Sequence, residues 1–128
     1  MMVASKAFLI VDDDPDIVNA MEAALATNGY QAKIAHNVHA AMDAISTTAP
    51  AIVFLDYYLA GDNPAAFVRK ARSLYPQLPI VLMTAARDAA EKAKNVGLHY
   101  YLPKPFQLEA LLEVVRRGTD ASAAWAEK

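Results

Sequence analysis

The sequence has no cysteine. Disulfides, thiolate metal sites and cysteine nucleophiles are therefore excluded, and the composition suits a reducing cytosol. A strong charge bias is also missing. Twelve basic and 14 acidic side chains leave a formal net charge of −2, which implies no global attraction to nucleic acid or to acidic membranes. No apolar run reaches the length of a membrane span. The apolar stretch at residues 7–11 is too short for a signal-peptide core, and the acids behind it are wrong for a cleavage site. The expected location is the cytoplasm. No internal repeat and no low-complexity segment is visible. What is present is a chain of 128 residues, 55% of them hydrophobic, enough to build the core of one domain of ordinary size.

Short apolar runs recur at Phe8–Val11, Ala51–Leu55, Ile80–Met83 and, more weakly, Tyr100–Leu102, with a polar–apolar alternation at Gln31–His36. The first three runs are apolar throughout, the mark of strands buried on both faces of a parallel sheet. Helical patterns lie between them. Asp14 can cap a helix opened by Pro15, with Ile17, Val18, Met21, Ala24 and Leu25 on one face and Gly29 past its end. Asn37 can cap a second, striped by Val38, Ala41, Met42 and Ile45. Asn63 and Pro64 repeat the start signal before Phe67, Val68, Ala71 and Leu74, while Arg69, Lys70 and Arg72 read as a solvated face. A fourth helix, from about Asp88 to Asn95, is mostly alanine and charge, and Gly97 can end it. The fifth runs from about Gln107 to Arg117, with Leu108, Leu111, Leu112 and Val115 facing inward.

Strand and helix thus alternate five times, which predicts an α/β fold with a doubly wound parallel sheet and helices on both faces. Helical crossovers bring the carboxyl ends of all strands to one edge, where such folds bind ligands. At that edge the sequence places Asp12, Asp13 and Asp14 after the first strand, Asp56 at the end of the third, Thr84 at the end of the fourth and Lys104 after the fifth. Two carboxylates about 5 Å apart repel by roughly 3 kcal/mol at an effective dielectric near 20. A raised pKa, a nearby lysine or a divalent cation must offset that cost. Carboxylates, a backbone carbonyl and water suit a hard cation, and Mg²⁺ goes with phosphate-bearing ligands. A metal, a lysine and a hydroxyl together cradle a phosphoryl group, with Asp56 placed to accept it.

Each residue also has a plain structural reading. Asp14 is adequately explained as a helix cap. Asp12 and Asp13 read as loop residues, Asp56 as a loop aspartate, Thr84 as a strand-end threonine and Lys104 before Pro105 as turn chemistry. Their joint placement at four strand ends favours the functional reading.

The segments "LIVDDDPDI", "IVFLDYYLAGD", "IVLMTA" and "YYLPKPF", in that order, resemble the receiver domain of two-component response regulators. The resemblance covers Ala7 to about Arg117. It implies a flavodoxin-like fold with five strands in the order 2-1-3-4-5 and five helices. Asp56 would accept a phosphoryl group from a phosphohistidine on a histidine kinase or histidine phosphotransfer protein. Asp13 would bind Mg²⁺ directly and Asp12 mainly through water, with Asp56 and the backbone carbonyl of Tyr58 completing the protein ligands. Thr84 and Lys104 would contact the phosphoryl oxygens, and Thr84 and Tyr101 would act as the switch. The Lys104–Pro105 peptide is expected to be cis. The resemblance also admits a homodimer through the face made by the fourth helix, fifth strand and fifth helix.

The sequence departs from the family pattern in places. Ala60 stands where many relatives have proline and Pro64 where they have glycine, so a reshaped loop is expected. Tyr58 is bulky enough to shield an acylphosphate, Ala86 offers no polar group to orient water, and small Ala85 leaves access open. Slow self-dephosphorylation follows. His99 and Tyr100 replace acids, and His99 reads as a strand-edge residue. Residues 1–118 are read as the receiver and 119–128 as a tail or the start of a linker, with Trp125 docking or not. No nucleic-acid or membrane partner is expected for this chain. Three rivals remain: a haloacid-dehalogenase-like aspartyl-phosphate phosphatase using Asp12-x-Asp14, a flavodoxin-like nucleotide binder, and a receiver-like module that works without phosphorylation.

Overall fold

In the computed structural model, which describes residues 7–59 and 62–120, capping chemistry starts the helices where the sequence puts the caps. The Asp14 side chain accepts from the Asp16 N–H and opens α1 (Pro15–Thr27). Asn37 accepts from the Ala40 N–H and opens α2 (Val38–Thr47). Asn63 accepts from the Ala65 N–H and opens α3 (Pro64–Leu74). Each cap satisfies an orphan amide of the first turn. Glycine ends two segments: Gly29 (φ +86°) follows α1, and Gly97 (φ +81°) follows α4 (Ala89–Asn95). α5 spans Leu108–Asp120.

The strands are β1 (Ala7–Val11), β2 (Gln31–Ala35), β3 (Val53–Asp56), β4 (Ile80–Thr84) and β5 (Tyr100–Pro103). All pairings are parallel, in the order β2-β1-β3-β4-β5, so the expected doubly wound, flavodoxin-like architecture is present. Alternate side chains of the central strands feed two cores. Leu9, Val11, Val53, Leu55, Ile80 and Leu82 meet α2, α3 and α4 on one face. Phe8, Ile10, Phe54, Val81 and Met83 meet α1 and α5 on the other. Full burial of one such side chain contributes about 1.5–3 kcal/mol.

Some expectations are corrected. β3 begins two residues later than its apolar run, although Ile52 stays buried and its carbonyl accepts from the Leu9 N–H at 3.0 Å. Leu74 is exposed because Tyr75, the next residue, takes the inward place, packs on the core and donates its hydroxyl to the Ile45 carbonyl at 2.7 Å. Leu108 is half exposed because it faces an open cleft between α1 and α5. Arg72 is not simply solvated: it is partly buried, donates to the Leu78 carbonyl, and burial lowers its pKa. The fifth helix runs on to Asp120, past the expected end near Arg117, and the expectations for Ala60 and for the tail beyond it, with Trp125, lie outside the described residues. Among those residues, no helix is long and apolar enough to cross a membrane.

Candidate functional site

The parallel register decides what meets at the carboxyl edge. Val11 pairs with Leu55, Asp56 with Met83 and Thr84 with Pro103. Asp12, Asp56, Thr84 and Lys104 therefore emerge side by side although the chain separates them widely. One carboxylate oxygen from each of Asp12, Asp13 and Asp56 lies within 4.8 Å of the other two. Asp12 is fully buried, Asp56 is 5% exposed, and Asp13 faces solvent.

Lys104 supplies the opposite charge. Its Nζ is 2.9 Å from Asp12 Oδ2 and 3.2 Å from Asp56 Oδ1. The Lys104 N–H donates to the Thr84 carbonyl at 2.8 Å, extending the β4–β5 ladder by one rung, and the following Lys104–Pro105 bond is cis, as the resemblance implies. The backbone around the acids is also tied in. The Asp14 N–H donates to Asp12 Oδ1 at 3.0 Å, and the Tyr58 N–H makes a long approach, 3.4 Å, to Asp56 Oδ1. Among the described residues, no buried side-chain polar atom lacks a partner.

The electrostatics follow from this crowding. Burial first, and then the charge of Asp12, push Asp56 up to a pKa of about 6, against the opposing pull of Lys104 and the Tyr58 amide. Burial works against the Lys104 ammonium, but hydrogen bonding by Asp12 and the charges of Asp56 and Asp12 outweigh it, so its pKa is raised. A group of hard oxygen donors carrying surplus negative charge, balanced among the described residues by the single charge of Lys104, fits a small divalent cation.

Thr84 is fully buried, and its Oγ1 accepts from the Ala86 N–H at 3.0 Å. Tyr101, on β5, is 42% exposed, its side chain turned outward. Tyr58 is 60% exposed and meets the ring of Tyr57 edge-on, with centroids 4.8 Å apart. Ala85 is exposed on the rim of a cleft of about 670 Å³ between α1 and α5, which Asp14, Ile17, Lys104 and Phe106 also line. His99 is exposed just before β5. Asp12, the acid that the dehalogenase reading would make a nucleophile, is wholly buried and ion-paired to Lys104.

Two features went unread in the sequence. Asp62 reaches from the loop after β3 to accept the Val38 N–H of α2 at 2.9 Å. Lys92 of α4 places its Nζ 5.4 Å from the ring centroid of Tyr57. The first had no sequence signal, because its partner is a backbone amide 24 residues earlier. The second had only a weak one, a lysine facing an aromatic residue across two elements.

Comparison with known proteins agrees with the fold. A family model described as a response regulator receiver domain matches residues 8–116. Response regulator MprA of Mycobacterium bovis is 34% identical over 114 residues, covering 88% of this chain and 50% of the relative. Its namesake in Mycobacterium avium is 34% identical over 110 residues, covering 84% of this chain and 48% of the relative. The chain thus spans about half the length of the curated relatives it matches. The receiver domain of NtrX from Brucella abortus has a similar structure, with a TM-score of 0.80 at 29% identity, covering 88% of this chain and 98% of that one. A CheY-like receiver domain protein from Methanospirillum hungatei gives a TM-score of 0.84 over 94% of this chain and 98% of that one, and at 24% identity it speaks for the fold alone.

Proposed function

The chain belongs to the response regulator receiver domain family, and from that premise we propose that it accepts a phosphoryl group on Asp56 from a phosphohistidine of a histidine kinase or histidine phosphotransfer protein in the cytoplasm. The observation that carries this reading is the convergence of buried Asp56 with Asp12, Asp13 and Lys104 at one sheet edge. Asp12, Asp13, Asp56 and the backbone carbonyl of Tyr58 would hold Mg²⁺. When bound, Mg²⁺ supplies charge neutralisation for the acids and for the transferring oxygens.

The chain's own groups do the rest by position and charge. An Asp56 carboxylate oxygen attacks phosphorus. The bond from the donor imidazole nitrogen to phosphorus breaks, its electron pair stays with the imidazole, and an oxygen–phosphorus bond to Asp56 forms. Lys104, shared between two carboxylates, turns part of its hydrogen bonding to the new phosphoryl oxygens. Thr84 Oγ1 moves toward them and donates a hydrogen bond. The space it leaves admits Tyr101 from its outward position, and the surface of α4, β5 and α5 changes as one population gives way to another. That surface is the one through which the chain signals to a partner or pairs with a second copy.

The donor protein approaches along the cleft between α1 and α5, because Lys104, which pairs with Asp12 and Asp56, also lines that cleft. Residues 1–118 act as the receiver and 119–128 as a tail or linker. The reading predicts a signalling phosphoacceptor with slow self-dephosphorylation rather than a turnover enzyme. The test is incubation with acetyl phosphate and Mg²⁺, followed by intact-mass measurement. One phosphoryl group per chain in the wild type and none in Asp56→Asn supports it. Steady hydrolysis of phosphomonoesters, or labelling that persists in Asp56→Asn, overturns it.

A further inference from the structure

Tyr57 follows the acceptor, is half-buried, and donates its backbone N–H to the Met83 carbonyl at 2.9 Å. Its ring stands between two neighbours. Tyr58 meets it edge-on at an interplanar angle of 82°, and Lys92 of α4 projects its ammonium over it at 5.4 Å. That distance is within the range in which a cation is attracted to a ring face.

Within its own turns α4 has few large side chains to hold it, its apolar anchors Val96 and Leu98 following at its C-terminal end. It is seven residues long, and its buried side chains are two alanines, Ala89 and Ala93. A helix this short is marginal without tertiary support, and two methyl groups bury little apolar surface. Its N-terminus receives no side-chain cap from Asp88, whose carboxylate instead lies 3.7 Å from Lys92 Nζ. Lys92 is the large side chain within α4 that reaches the loop carrying the acceptor.

The same loop must adjust when Asp56 is modified. The Tyr58 N–H points at Asp56 Oδ1, so a phosphoryl group on that carboxylate would move the Tyr57–Tyr58 segment and its edge-to-face rings. Resting on the phosphoacceptor reading above, we propose that Lys92 over Tyr57 is a latch that holds α4 in its unphosphorylated position. Phosphorylation of Asp56 loosens it, which gives a second mechanical path from the acceptor to α4 beside the one through Thr84 and Tyr101. A contact made in one state only must, by linkage, weaken ligands that favour the other state by the same factor.

The experiment uses the full chain and two readouts: hydrogen exchange of the α4 amides without ligand, and affinity for beryllofluoride with Mg²⁺. Lys92→Met keeps the apolar stem and removes the charge. It should speed α4 exchange and tighten beryllofluoride binding about 2- to 5-fold. Tyr57→Leu should do the same, and the double variant should add nothing beyond either single. Lys92→Arg, which keeps a cation, and Asp88→Asn, which removes the ion pair but leaves the ring contact, should behave like the wild type. Unchanged α4 exchange in Lys92→Met, or additive effects in the double variant, overturns the latch alone. A wild-type chain that does not bind the mimic overturns the phosphoacceptor reading, and the coupling with it.

Discussion

Lys104 Nζ lies 2.9 Å from Asp12 Oδ2 across 92 residues of sequence. The same nitrogen is 3.2 Å from Asp56 Oδ1, so one ammonium joins the carboxyl ends of β1, β3 and β5. It balances two buried acids, and on the phosphoacceptor reading it would change partners when a phosphoryl group arrives.

Removing that charge leaves Asp12 and Asp56 uncompensated. Lys104→Met should lose about 3–5 kcal/mol of stability in metal-free buffer, the cost of stranding buried charge. Mg²⁺ should restore part of it. Urea unfolding with EDTA and with Mg²⁺ measures both, and an equal loss in the two buffers would show that the lysine acts by packing alone.

Asp56 gives a pH signature with a definite sign. Its pKa rises from 3.8 to about 6 on folding, so the folded chain holds the proton more tightly than the unfolded one. Stability then falls as pH rises between these values, and the penalty is complete above about 6. Asp56→Asn should stabilise the metal-free chain at pH 8 by on the order of 1–3 kcal/mol. The gain should vanish below pH 4, where the aspartic acid is itself neutral. Denaturant unfolding at pH 3.5 and pH 8 in EDTA tests this.

Asp13 separates metal binding from folding. It is exposed, so Asp13→Asn should change metal-free stability by no more than about 0.5 kcal/mol. Mg²⁺ at ten times its dissociation constant should stabilise the wild type by about 1.4 kcal/mol and the variant by much less. Thermal melts across a Mg²⁺ titration report the difference.

Asp62→Ala should cost about 1 kcal/mol, because the first amide of α2 loses its acceptor and the loop after β3 loses its anchor. Asp62→Asn, which still accepts a hydrogen bond, should recover most of that. Urea midpoints for the two variants decide it.

Ala86→Glu should shorten the life of the phosphorylated chain, since it brings a water-orienting carboxylate to a position that now offers only a methyl group. The decay of phosphorylated protein after removal of the donor gives the rate. An unchanged rate would mean that water already has its guide elsewhere.

Much of this was legible in the sequence for identifiable reasons. Runs such as "IVLMT" can only be buried on both sides, and Asp14, Asn37 and Asn63 announce helix starts by local chemistry. Once the strands are parallel, the meeting of Asp12, Asp56, Thr84 and Lys104 follows from topology. The fate of Leu108 and Leu74 was not legible, because helical periodicity names a face but not whether the opposing surface extends to meet it. Nor was the reach of Asp62, whose partner amide is identical in every residue but proline. Long-range pairs of this kind are fixed by the folded geometry and leave no mark on spacing.

The cleft and α4 belong to different cores, one on each face of the sheet. The cleft that exposes Lys104 opens between α1 and α5, while Tyr57 and α4 pack on the far side with α2 and α3. On the proposed reading, a protein delivering phosphate through the cleft would leave α4 uncovered but would share α5, which lines the cleft, with a partner of the α4–β5–α5 face. A partner that needs α4 alone would then bind beside the donor, and one that needs α5 as well would have to wait for it to leave.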